Sequence, residues 1–157
     1  MPRKKLPYKE GSWFAVPLED SGYALGLVAR SRPGGKLLFG YFFGPRREKV
    51  PKSSEATDLL PEDAVLTRRF GDLGLINGEW PVIGESEDRN RDAWPMPLFV
   101  RKDFISGKLS LIKYSEDDLA DEISMYECPA GAEQELPEDG SSGHIALQIR
   151  LTQLLSA

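Results

Sequence analysis

Three apolar runs, separated by short polar breaks, dominate the N-terminal third of the chain. The first two, residues 13–18 and 23–29, flank a break that ends at Gly22, and this arrangement is typical of a β-hairpin. A third run, residues 36–43, follows a Pro-Gly-Gly turn and is almost continuously apolar, which indicates a strand covered on both faces. The pattern therefore predicts a bent three-stranded antiparallel meander.

Two residues within these runs predict local departures from a regular sheet. Pro17 has no N–H to donate to a ladder, so the first strand should lie at an edge or be bulged there. Gly26 lies inside the second strand, where a missing side chain indicates a bend or a close backbone approach.

The middle of the chain is interrupted more often and predicts shorter elements. Residues 64–70 return to strand character, and the glycines of residues 71–84 favour one or two short strands with tight turns. Residues 98–101 and 108–114 predict a second hairpin. In the second strand of that hairpin, alternation places Ile112 on the more solvated face.

The C-terminal third mixes loop, strand and helix signals. Ser115 followed by three acidic residues is typical of a helix N-cap and predicts a brief helix. Residues 122–127 alternate like an edge strand, and residues 129–143 are typical of a flexible acidic loop. Residues 143–155 fit both a strand alternation and a helical leucine stripe, and the length of the run favours a helix.

Together these elements predict one α+β domain, mainly a bent antiparallel β-sheet with a C-terminal helix. A length of 157 residues fits a single domain, which we expect at residues 11–157. Residues 1–10 contain basic side chains but no apolar run, and they predict a flexible tail. No stretch of the chain is apolar enough for a membrane span, so we expect no membrane contact.

Charge is distributed very unevenly along this domain. Residues 114–149, named here the acidic segment, hold ten of the 25 carboxylates and no Lys or Arg, so the other residues are net positive by five. Such a segment attracts a basic partner and repels nucleic acid and anionic lipid. The alternative is a solvated acidic edge that only maintains solubility, and charge alone favours this simpler interpretation.

Residue types needed for most catalytic and metal sites are scarce. The chain has one histidine, His144, and one cysteine, Cys128, too few for a zinc site. A Cys128–His144 nucleophile pair is disfavoured because neighbouring carboxylates raise a thiol pKa. Glu79 and Asp92 each lie near a tryptophan and could serve a glycoside hydrolase, but such neighbours are common by chance. We therefore expect no enzyme, no cofactor and no metal; the single cysteine and the lack of a secretion signal favour the cytoplasm.

The order of several short motifs resembles the immunity protein 26 family of bacterial polymorphic toxin systems. The likeness extends over about residues 8 to 155, and its motifs are Gly11-Ser12-Trp13-Phe14-Ala15-Val16-Pro17-Leu18, Gly22-Tyr23-Ala24-Leu25-Gly26-Leu27-Val28, Gly40-Tyr41-Phe42-Phe43, Trp80-Pro81-Val82-Ile83-Gly84, Trp94-Pro95-Met96-Pro97-Leu98-Phe99, and the Leu-rich ending after Gly143. An acidic residue is common in the family's final helix, where this chain has Gln148, so no function is transferred to that position.

The resemblance implies a small cytoplasmic protein that binds and neutralises a toxin in competition between bacteria, without catalysis. For the contact with a basic toxin surface, we expect six carboxylates of the acidic segment: Asp117, Asp118, Asp121, Glu122, Glu133 and Glu135. Tryptophan-proline turns fix chain direction while the indole fills a core, so we expect a structural role for Trp13, Trp80, Pro81, Gly84, Trp94 and Pro95. The alternative function is a carbohydrate- or small-ligand-binding module whose cleft would be formed by Trp13, Trp80, Trp94 and Tyr41.

Overall fold

The computed structural model describes residues 5–86 and 91–156, which form two β-sheets and a C-terminal helix. The first sheet has the order β5-β1-β2-β3-β4-β9, with β1 Ser12–Pro17, β2 Tyr23–Ser31, β3 Leu37–Arg47, β4 Leu66–Gly71, β5 Val82–Glu85 and β9 Ser141–Ser142. The second has the order β6-β7-β8, with β6 Phe99–Lys102, β7 Leu109–Tyr114 and β8 Glu122–Glu127. The helices are α1 Leu73–Ile76 and α2 His144–Leu154, and 3-10 turns lie at Ser53–Ala56, Pro61–Asp63, Arg91–Ala93 and Ala132–Gln134. The predicted α+β domain is confirmed.

The strands β1, β2 and β3 form the antiparallel meander that the apolar runs predict. The turn between β1 and β2 ends at Gly22, where φ is +81° and a Cβ atom would lie 2.6 Å from the carbonyl oxygen of Arg47. Glycine is required at that turn for both reasons. The strand β1 is not the sheet edge, because β5 pairs with it from Ser12 to Phe14. Pro17 lies beyond that pairing, and a register shift falls between Trp13 and Phe14.

The first sheet is the central layer of three, because residues on both of its faces are buried in β2 and β3. One face packs against α2 in a core that includes Phe14, Val16, Ala24, Val28, Leu38, Phe42, Phe70, Leu147 and Leu151. The other face packs against the second sheet in a core that includes Trp13, Leu25, Leu27, Phe39, Tyr41, Phe43, Phe99, Ile112 and Tyr114. The prediction that this run is covered on both faces is confirmed for residues 38–43, whereas Lys36 is exposed and precedes the strand.

Gly26 makes the close approach that its position in β2 predicts. A Cβ atom at this residue would lie 2.4 Å from Cζ of Phe14, whose ring lies over the glycine. Phe14 also stacks on Trp80, with the two planes 4° apart, and meets Phe42 and Phe70. The missing side chain therefore makes room for the central ring of an aromatic cluster.

Three local predictions are wrong or incomplete. Residues 71–84 contain one short strand, β5, but also the helical turn α1, where Gly74 lets the indole of Trp80 pack directly on the backbone. No helix begins at Ser115; its hydroxyl accepts the N–H groups of Asp117 and Asp118 in a turn. Ile112 is fully buried, because it lies opposite Phe99 on the face that meets the first sheet.

The predicted flexible tail is too long. Residues 1–4 lie outside the described part of the chain, but Leu6 and Tyr8 already pack against the core on the helix side of the first sheet. Tyr8 is buried, and its hydroxyl donates a hydrogen bond of 2.7 Å to the carboxylate of Asp72. An apolar and an aromatic residue thus anchor a segment that charge alone assigns to solvent.

Candidate partner-binding surface

The acidic segment begins with a turn that carries its densest run of carboxylates. The turn closes where the N–H of Ser115 donates to the carbonyl of Asp121, and the chain then enters β8. Three consecutive carboxylates of this turn form ion pairs with arginines of other segments: Glu116 with Arg30 at 2.8 Å, Asp117 with Arg91 at 3.1 Å, and Asp118 with Arg32 at 2.7 Å. The turn is therefore held against the protein's own basic side chains.

Arg30 is the most buried of these arginines, with only 1% of its surface exposed. Its guanidinium donates to the carbonyl oxygens of Ala29, Trp94 and Arg91 as well as to Glu116. A buried cation requires such partners, because an unpaired charge in the interior is very costly. Arg30 thereby joins β2 to both the segment before β6 and the turn after β7.

A second cluster surrounds Asp139, whose side chain is 9% exposed. Its carboxylate pairs with Arg69 of β4 at 3.1 Å and with Arg101 of β6 at 2.8 Å, and it accepts a hydrogen bond from Tyr114 of β7. Arg101 also pairs with Glu122 at the start of β8. Asp139 therefore links the first sheet to the second through two arginines.

Proton affinities within this cluster reflect the same contacts. Burial by itself would raise the pKa of Asp139, but the hydrogen bonds from Tyr114 and Arg101 and the charges of Arg101 and Arg69 outweigh it and hold that pKa below its usual range. Burial, together with the hydrogen bond to Asp139, raises the pKa of Tyr114 to about 12. The guanidinium carbon of Arg69 also lies 3.9 Å from the centroid of the Tyr114 ring, a cation–π contact.

The six predicted contact residues divide into two groups. Asp117, Asp118 and Glu122 form ion pairs within the protein, so much of their charge is compensated internally. In the described part of the chain no such pair is formed by the other three: Asp121, Glu133 and Glu135. In the chain, Asp121 precedes β8, whereas Glu133 and Glu135 follow it. Glu135 lines a cleft with Arg68 of β4 and Arg150 of α2, so the three carboxylates do not form one cluster.

Large apolar side chains are exposed on β8 and in the turn between β6 and β7. On β8, Ile123, Met125 and Tyr126 are exposed by 50%, 59% and 47%. In the turn between β6 and β7, Phe104 and Ile105 are exposed by 98% and 99%. Because Ser110 pairs with Glu127, this turn lies at the same end of the sheet as the end of β8. We name β8 and this turn together the edge surface.

The sequence interpretation missed the apolar part of the edge surface. The signal was present, because two large apolar residues occupy a predicted turn, where polar residues are the rule. β8 also carries apolar residues at both alternating positions, Met125 and Tyr126, although only one face of an edge strand is expected to be buried. Exposed apolar patches rimmed by polar residues are typical of interaction sites.

The residues expected to have structural roles make contacts within the fold. Trp13 and Trp80 are buried, and Trp94 packs edge-on against Trp13. The carbonyl oxygen of Pro81 accepts the N–H of Ala15, and that of Pro95 accepts the hydroxyl of Tyr41. Gly84 lies opposite Trp13, where a Cβ atom would lie 2.7 Å from the Cβ of Ser53.

The burial of these aromatic residues also decides whether they can form the ligand-binding cleft of the alternative function. Trp13, Trp80 and Tyr41 are exposed by 6% or less, so their rings are covered by the protein and are not available to stack on a sugar. A carbohydrate module needs exposed rings around a cleft. The residues that the alternative function requires are thus brought into two cores on opposite faces of the first sheet.

The two members of the candidate nucleophile pair, Cys128 and His144, each have other polar neighbours. His144 lies 3.6 Å from the carboxylate of Glu79 and beside the ring of Trp80, whereas the thiol of Cys128 donates to the carbonyl of Pro129 at 3.5 Å. Across residues 5–86 and 91–156, no group of three or more His, Cys, Asp or Glu side chains is arranged to hold a metal ion. None of the helices in these ranges is long and apolar enough to span a membrane.

Comparison with known proteins adds one finding. A protein-family model described as Immunity protein 26 matches residues 9–111. Comparisons with curated proteins and with solved structures give no significant match. The matched residues cover β1 to β6 and end inside β7, so the whole acidic segment, together with β8 and α2, lies beyond them.

Proposed function

Because this chain belongs to the immunity protein 26 family, which implies an immunity role, we propose that it binds a cognate bacterial toxin and neutralises it stoichiometrically, without catalysis. The family match carries this proposal. The inhibitor masks the active surface of the toxin and acts in the cytoplasm, where a chain with a single cysteine needs no disulfide.

The edge surface supports a protein as the partner. It combines five exposed apolar side chains with Asp121, just before β8, and Glu127, at its end, neither of which forms an ion pair within the described residues. A solvated acidic edge that only maintains solubility would account for the carboxylates but not for exposed Phe104, Ile105 and Met125. Apolar anchors within a charged rim are the usual composition of a protein interface.

The sign of the charge supports a basic toxin surface. Asp121, Glu133 and Glu135 are compensated by no ion pair in the described chain, so their field extends into solvent. Complementary charge accelerates encounter, and close charge pairs across an interface can couple by about 1.5–7 kcal/mol. An immunity protein benefits from fast capture, because every toxin molecule that escapes is harmful.

The direct test is co-expression with the candidate cognate toxin domain, to be sought among the genes that neighbour this one. The proposal expects that cells survive, that the two proteins co-purify in a fixed ratio, and that the purified complex lacks toxin activity. An unrelated toxin domain serves as the control and should not be neutralised. Survival of cells without co-purification, or turnover of a substrate by the purified chain, would contradict a stoichiometric inhibitor.

A further inference from the structure

The second sheet has one closed edge and one open edge. At β6, the N–H of Val100 donates to the carbonyl of Pro137 at 2.9 Å, and the N–H of Asp139 donates to the carbonyl of Val100 at 2.8 Å. This segment of the chain therefore covers the outer side of β6. β8 is the last strand at the other side, and no strand of the described residues pairs with its outer edge.

The backbone groups that β8 presents can be assigned from the same hydrogen bonds. Val100 uses its N–H and C=O on the segment beside β6, so its partner Leu111 directs its own N–H and C=O toward β8. Leu111 lies opposite Tyr126, which therefore exchanges both bonds with β7. Because these groups alternate in direction along a strand, the N–H and C=O of the preceding residue, Met125, point outward from the edge of the sheet.

This edge is only partly protected against pairing. Proteins usually protect an exposed edge with proline, lysine, bulges or very short strands. β8 has six residues, contains neither proline nor lysine, and has one register shift, which leaves Ile123 without a paired residue. Its side chains include Met125 and Tyr126, which alternate to opposite faces and could each contact a neighbouring strand.

Charge decides which kind of strand fits this edge. A second copy of β8 would bring Glu122, Glu127 and the adjoining Asp121 close to the same acidic residues, and like charges on neighbouring strands are destabilising. A strand with lysine or arginine would instead meet Glu127 at one end and Asp121 near the other.

We infer that an extended basic segment of the bound partner adds to the outer edge of β8 as a fourth strand of the second sheet. This inference rests on the proposed function, because it specifies how the toxin is held. Main-chain hydrogen bonds to Met125 supply affinity, Ile123 and Tyr126 contact alternate side chains of the added strand, and the flanking carboxylates select its charge.

A synthetic peptide tests this mode without knowledge of the toxin. The probe is an acetylated, amidated octapeptide of alternating lysine and valine, titrated into the full chain while backbone amide resonances are followed by NMR. We expect saturable shifts confined to β8 and slower hydrogen exchange at the Met125 amide. A peptide of alternating glutamate and valine, and a lysine–valine peptide N-methylated at consecutive central residues so that both of its edges are blocked, should bind at least about tenfold more weakly.

Two variants separate the backbone contribution from that of the side chain. Both Met125→Pro and Met125→Ala remove the thioether, but only Met125→Pro also removes the outward N–H. We expect Met125→Pro to weaken peptide binding about tenfold relative to Met125→Ala, since one hydrogen bond is lost and its partner is left unpaired. The N-methylated peptide makes the same test on the unaltered protein, so the result does not depend on how well Met125→Pro folds.

The strand-addition site is rejected if the lysine–valine peptide does not bind, shifts resonances elsewhere, or binds no better than the glutamate peptide. It is also rejected if the chain alone dimerises through the β8 amides, because the occupant is then a second copy. Co-expression with the toxin separates the two proposals. Equal protection by both Met125 variants rejects strand addition and leaves neutralisation intact, whereas failure of the unaltered chain to protect rejects neutralisation even if the peptide binds β8.

Discussion

Replacement of Asp139 by asparagine tests whether the acidic segment is part of the fold. Asp139→Asn keeps the shape of the side chain but removes the negative charge that lies between Arg69 and Arg101. Arg69 is 9% exposed at its side chain, so it would keep a buried positive charge without its anionic partner. The hydrogen bond from Tyr114 would then meet a neutral and weaker acceptor.

The expected loss follows from the burial of this pair. Breaking a buried ion pair by removing one partner costs about 3–5 kcal/mol, and asparagine retains an acceptor oxygen, so we expect about 3 kcal/mol. This is a large part of the roughly 5–15 kcal/mol that stabilises a typical domain. By contrast, Glu122→Gln removes an exposed partner of Arg101 and should cost about 0.2–1 kcal/mol.

Urea unfolding followed by tryptophan fluorescence measures the stability of both variants. An unchanged dependence of the free energy of unfolding on urea concentration would show that only stability has altered.

The pH dependence of stability gives a second test. Because the pKa of Asp139 is lower in the folded protein, its contribution is present above the unfolded pKa, roughly 4, and is lost as pH falls through the folded pKa. The stability difference between the wild-type protein and Asp139→Asn should therefore shrink in acid. A loss no larger than that of Glu122→Gln would refute the role of the cluster.

Two further outcomes follow from the packing and the surface charge. Gly26→Ala forces a methyl group against the enclosed ring of Phe14 and should lower the free energy of unfolding by about 1–3 kcal/mol. The control is Gly71→Ala, where the atom nearest to the added methyl group lies 3.8 Å away, and it should leave the free energy of unfolding unchanged or slightly higher. Equal urea midpoints for the two variants would contradict the close approach at Gly26. Neutralising the three unpaired carboxylates (Asp121→Asn, Glu133→Gln and Glu135→Gln) should slow association with the toxin about tenfold at low ionic strength but not in about 1 M salt. The matched control neutralises Glu19, Glu48 and Asp58, and an equal effect in stopped-flow measurements would contradict a directed surface.

Features predicted correctly from the sequence are those that local patterns determine. The meander follows from apolar runs bounded by glycine-containing turns, and the buried glycine follows from the break it makes in β2. The final helix follows from the spacing of its leucines, although Leu154 is exposed while Leu147 and Leu151 are buried. β8 was predicted as an edge strand and is one.

Features that could not be predicted depend on pairing between distant residues. Glu116 and Arg30 are separated by 86 positions, and no local property of either identifies the other. The same carboxylates that suggest a free acidic face in the sequence are therefore shared between ion pairs and solvent. The face of Ile112 was assigned wrongly because alternation defines two faces but does not say which one a second layer will cover.

The sheet in the middle of the molecule belongs to two cores at once. The residues of β2 and β3 that face α2 and those that face the second sheet are joined along the same backbone. Detachment of either α2 or the second sheet would expose β2 and β3 to water, and the layer that remains also packs on these two strands. Melting should consequently proceed as a single cooperative event, and amide hydrogens of these two strands should exchange last, through global opening alone.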